Sequence, residues 1–135
     1  MTDLTGALQA AVLARLAGAL SCSVYDVVPP EAAMPYAQLG RDLVADAGSK
    51  DARLERHEIE IVTYGGTAAD GGAVRGRAQV RALQEDIRAA MTGAPLRAEG
   101  CAPVTPVLLS AEVSDIGDGR TFEGLQRFLI FIAPR

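Results

Sequence analysis

Residues 54–65 read LERHEIEIVTYG, and the alternation of side chains along them decides what kind of fold this is. His57, Ile59, Ile61 and Thr63 take every second place, with Glu58, Glu60, Val62 and Tyr64 between them. A period of two puts the first set on one face of a strand and the second set on the other. The odd face is suited to a core. The even face carries two carboxylates at one end, so it meets water or another subunit there.

On the N-terminal side the pattern changes period. Leu4, Leu8, Val12, Leu16 and Leu20 recur every four residues, with Ala7, Ala11 and Ala19 beside them. This spacing predicts a helix over 4–20, and Thr2 or Asp3 can cap its free N–H groups. Arg15 lies along the alanine column, where its stem can follow the stripe while the charge reaches water. SVYDVV (23–28) predicts a short strand ended by Pro29-Pro30, and PYAQLGRDLVADAG (35–48) a second strand closed by a turn at Ala47-Gly48-Ser49.

Between them lies PPEAAMPYAQLG (29–40). Alone it reads equally as a substrate loop, a linker or a rigid entry into a sheet. Pro29 and Pro30 lack the N–H a ladder needs, and Pro35 biases Met34 toward an extended backbone. The stretch therefore reads as a rigid corner, with Tyr36 opening the strand, its ring packed inward and its hydroxyl wet.

On the C-terminal side GGTAADGG (65–72) predicts a flexible connection. A second helix follows over 73–91, with Val74, Ala78, Val80, Leu83, Ile87 and Met91 as its apolar stripe, stopped by Gly93 and Pro95. PVLLSAEVSD (106–115) and RTFEGLQRFLIFIA (120–133) are two further strands, and Asp118-Gly119 is a favoured pair for a tight hairpin between them. The order α-β-β-β-α-β-β predicts an α+β (mixed α/β) fold: a single domain over 1–135, its mostly antiparallel sheet of about five strands carrying two main helices on one face. FLIFI is apolar at five consecutive positions, so the closing strand needs cover on both sides, from helices on one and another subunit on the other.

Composition narrows the function. The chain has 135 residues, a formal charge of -4 and a pI near 4.9, which is not the footprint of a nucleic-acid reader. The start lacks the basic cluster of a secretory signal, and no stretch approaches the ~20 apolar residues of a membrane span. Cys22 and Cys101 lie far apart without a CxxC or a His-rich neighbour, so no metal site is expected; they could pair if the fold brought them together, but a cytoplasmic setting favours two reduced, buried thiols. His57 is the only histidine, and nucleophilic catalysis would have to use it; in an alternating strand it reads as a paired strand residue. Glu58 and Glu60, roughly 7 Å apart by strand rise, have a glycosidase-like spacing but read as a solvated face. GGTAADGG lacks the lysine and pattern of a phosphate loop. Arg75, Arg77, Arg81 and Arg88 could touch phosphate, but Glu85 and Asp86 blunt their field. No enzyme signature survives.

The ordered set of an LxxA-type N-terminal helix, SVYDVVPPEAAMPYAQLG, HEIEIVTYGG, a regularly spaced helix and RTFEGLQRFLIFI resembles the tail terminator (tail completion) proteins of long-tailed, non-contractile phages. The resemblance spans about residues 4–132 and is closest to the versions in alphaproteobacterial gene transfer agents. It implies a homohexameric ring at the head-proximal end of the tail tube. Such a ring halts tube polymerisation, joins the head's stopper or connector protein and lets double-stranded DNA pass through its channel. It further implies no enzymatic activity and no cofactor, with assembly in the bacterial cytoplasm and final residence at the head–tail junction of the particle. The partners expected are further copies of the chain, the major tail tube protein and the stopper. An acidic chain suits a channel along which DNA slides without sticking. Tyr36, Phe122, Phe128 and Phe131 are the candidates for the subunit interface. Glu58, Glu60, Asp46, Asp51, Asp70, Arg75 and Arg77 are the candidates for the channel or for partner contacts. The residues by themselves also accommodate a small cytoplasmic α/β module that binds a ligand or protein as a monomer or dimer, or a hydrolase built on His57.

Overall fold

A computed structural model describes residues 3–66, 76–117 and 120–135. Helix α1 spans Leu4–Ala19; strands β1, β2 and β3 span Ser23–Tyr25, Tyr36–Asp46 and Glu55–Gly66; helix α2 spans Gly76–Thr92; strands β4 and β5 span Val107–Asp115 and Thr121–Ile132. The expected element order holds. The five strands form one sheet in the order β1-β2-β3-β5-β4, with β1 parallel to β2 and every other pair antiparallel. This is the α+β class, with both helices over one face of the sheet. Thr2, Val74, the 67–72 connection and the Asp118-Gly119 turn lie outside the described residues; beside the turn, Ile116 N donates to Thr121 O at 3.1 Å.

α1 begins where Asp3 accepts a hydrogen bond from Gly6 N at 2.9 Å, which satisfies one of the free donors of its first turn. Leu4, Leu8, Val12 and Leu16 are the buried stripe. In α2 the buried residues are Gly76, Val80, Leu83, Gln84, Ile87 and Met91, whereas Ala78 faces solvent. Gly76 has φ +48 and opens the helix with the Phe122 ring 3.3 Å from where a Cβ would stand. A residue without Cβ fits both conditions.

The inner face of the sheet supplies Ala37, Leu39, Ile59, Ile61, Phe128, Ile130 and Ile132 to the core that both helices cover. The alternation along β3 is as its sequence dictates, with His57, Ile59, Ile61 and Thr63 inward and Glu58, Glu60 and Tyr64 outward. The structure adds one detail to the corner and corrects another. The Met34–Pro35 bond is cis. Tyr36 faces outward, because Ala37 takes the inward place against the core and strand alternation leaves its neighbour the other side. The first strand stops at Tyr25, short of the prolines.

Arg15 is half-buried, and its charge has partners as well as its stem. Its guanidinium donates to the carbonyl of Ala90 in the last turn of α2 at 2.8 Å, and to those of Ala94 at 3.0 Å and Pro95 at 2.8 Å just beyond it. A cation there satisfies orphan acceptors and complements the negative end of the helix dipole. One side chain thus joins the two helices.

Candidate functional site: the outer face of the sheet

Register places one set of side chains on the face away from the helices. β3 presents Arg56, Glu58, Glu60 and Tyr64; β5 presents Glu123, Leu125, Arg127, Leu129 and Phe131 opposite them. β2 has a bulge between Leu39 and Asp42, after which Leu43 pairs with Glu58 and joins this outer face. Val107 of β4 pairs with Leu129 and extends it to the far edge.

The face has three zones along the strands. At one end Tyr36 stands edge-on to Tyr25, with centroids 5.7 Å apart, and tilted on Tyr64 at 5.3 Å. All three tyrosines of the chain meet there. The Tyr64 hydroxyl donates to Glu123 at 2.7 Å, and burial together with that carboxylate pushes its pKa up to about 12. The middle zone is ionic: Arg127 Nε donates to Glu60 at 3.2 Å and Arg56 donates to Glu58 at 2.9 Å. Arg41, Asp42, Leu43, Glu58, Glu60 and Arg127 line a cleft of about 320 Å³. The last zone is apolar and open, with Phe131 43 %, Leu43 60 % and Val107 56 % exposed.

The candidates from sequence sort against this map. Phe131 stands on the open zone and Tyr36 in the tyrosine cluster. Phe128 is 0 % exposed in the chain's own core, so its proposed place at a subunit interface is corrected: β5 turns it toward the helices. Phe122 is likewise enclosed at 9 %, with the guanidinium of the exposed Arg77 5.1 Å above its ring. Glu58 and Glu60 lie on the outer face, each with its own arginine, so they do not form a free carboxylate pair. Asp46 and Asp51 are exposed near the turn joining β2 to β3, where Asp46 accepts from Gly48 N at 2.9 Å. Asp70 and Arg75 lie outside the described residues.

His57 is fully buried and cannot reach a substrate. Cys22 and Cys101 are free thiols, both pushed up by burial. Among the described residues no cluster has the makings of a metal site, and no helix is long and apolar enough to cross a membrane. Sequence reasoning missed Arg41, Arg127, Leu43 and Val107. The arginine opposite Glu60 needed the β3–β5 register, and Leu43 needed the bulge.

A broad, open sheet face with paired charges beside exposed apolar side chains fits another macromolecule better than a small molecule. The chain belongs to the tail completion protein gp17 family, whose model matches residues 2–133. It is on that ground a structural protein of a phage-type tail. Its structure is similar to a chain in the virion of a native gene transfer agent (GTA) particle, at 25% identity and TM-score 0.78, over 98% of this chain and 99% of that one. No curated protein sequence matches it.

Proposed function

We propose that the chain forms a homohexameric ring that caps the head-proximal end of a phage-like tail tube, stops its polymerisation and joins the tail to the head's stopper protein. DNA passes through the ring's channel, and the chain performs no catalysis. The observation that carries this reading is the match of the tail completion model to residues 2–133. The likeness to a chain of a gene transfer agent virion over nearly the full length of both supports it.

The physical chemistry is consistent with the role. A closed ring needs a heterologous contact, one surface of a subunit against a different surface of the next, and closure ends growth. The open apolar zone around Phe131, Leu43 and Val107 offers one half of such a contact. A net charge of -4 weakens phosphate binding, which scales with the basic groups presented. Mass measurement of the purified chain, alone and after mixing with tail tubes, tests the reading. A hexamer in either condition, seated at a tube end in the second, is the expected result. Monomers or dimers in both conditions, with nothing on the tubes, would overturn it in favour of a small binding module.

A further inference from the structure

We propose that His57 is a buried imidazolium ion that locks the register of β2 beyond its bulge. The inference does not depend on what the chain assembles with. Nδ1 of the ring lies 2.9 and 3.1 Å from the two carboxylate oxygens of Asp42, and Nε2 lies 3.0 Å from Oε1 of Glu55. A neutral imidazole donates from one nitrogen and accepts at the other. Here both nitrogens face carboxylate oxygens, and the carboxylates are themselves surrounded by donors. Glu55 takes Thr5 Oγ1 at 3.3 Å and Arg53 at 3.2 Å, and Asp42 takes Gln9 Nε2 at 3.4 Å. These bonds hold Glu55 as a carboxylate, and a ring that donates to both groups carries a proton on each nitrogen.

The groups packed around the ring complete the balance. Asp42 comes from β2, whose Val44 stands opposite His57, Glu55 from β3 and Arg53 from the turn before it; α1 brings the uncharged Thr5 and Gln9 to the two carboxylates, and β5 places the apolar Ile130 beside His57. Cys101 lies within the field of Arg53 and Glu55, with its thiol pushed up by burial. Two cations thus balance two anions.

What the cluster does follows from β2. Up to Leu39 the strand keeps apolar residues inward, but the bulge inserts an extra residue and brings Asp42 inward opposite Ile59. Beyond it, hydrophobic burial cannot choose between registers, since Leu43 and Val44 are 60 % and 41 % exposed. A slip of one residue would exchange the faces of Arg41, Asp42 and Leu43. Setting a register is the best-attested use of a buried ionic group, and the Asp42–His57 pair is placed to do so.

With one histidine in the chain, ¹⁵N-histidine labelling gives a single pair of ring signals. At neutral pH both nitrogens are expected in the imidazolium pattern. In Asp42→Asn, amide exchange at 42–46 should accelerate at least tenfold while 57–63 and 122–130 keep their protection. A neutral-tautomer pattern in the unaltered protein overturns the proposal, as does unchanged exchange at 42–46 in the variant. If Asp42→Asn does not fold, the ring signals of the unaltered chain still decide.

Discussion

Arg15 shows how much a single side chain settles in this molecule. Three carbonyls in and just beyond the last turn of α2 converge on its guanidinium, and such charge-assisted bonds contribute more than neutral ones. Arg15→Ala should cost about 1–3 kcal/mol, since it leaves those acceptors to water and removes the cation from the helix end. Urea unfolding of the two proteins checks this, and equal midpoints would show the contact to be idle. Glu55 gives a prediction in pH. Burial pushes its pKa up, but the hydrogen bonds from His57 and Arg53 outweigh that and hold it below its ordinary value of 4.5. A depressed carboxylate contributes stability that is fully present above the ordinary value and is lost as pH falls through the folded one. The urea midpoint should therefore drop as the pH is taken below about 4.5. In Glu55→Gln that acid-side loss should be shallower; an identical slope would contradict the assignment.

β5 shows at the level of elements what was legible in the sequence and what was not. Its run of apolar residues required cover on both sides, and alternation separated inner from outer positions. Sequence alone does not say which phase faces the helices, so it offers Phe128 and Phe131 on equal terms. The β3–β5 register separates them, with Phe128 opposite Ile59 in the core and Phe131 opposite Arg56 on the open face. An aspartate should therefore act differently at the two positions. Phe128→Asp buries an unpaired charge and removes a core ring, costing about 4 kcal/mol or more, a large part of the roughly 5–15 kcal/mol by which domains are stable. Phe131→Asp should melt within a few degrees of the unaltered protein yet fail to assemble. Circular dichroism and sizing distinguish the outcomes, and an assembling Phe131→Asp would remove the apolar zone from the interface. The helices were legible for the same reason, because a four-residue leucine spacing has one reading. The bulge in β2 is marked in sequence only by Gly40, since a glycine inside a strand suggests a bulge without fixing which residue is extra; the β2–β3 register places it between Leu39 and Asp42. Arg15 was missed because its partners are backbone carbonyls some 75 positions away, and backbone acceptors leave no trace in sequence.

For the whole molecule, the fold and the family are secure, and the ring is the claim to test. The account requires that one chain both close on its own copies and end a growing tube. Length distributions of tail tubes, imaged by electron microscopy after growth with and without the purified chain, test this most directly. The account predicts tubes that stop at a defined length with one ring at a single end, and unchecked elongation when the chain is absent or carries Phe131→Asp. Tubes that grow to the same lengths with and without it, bearing no ring, would contradict the account.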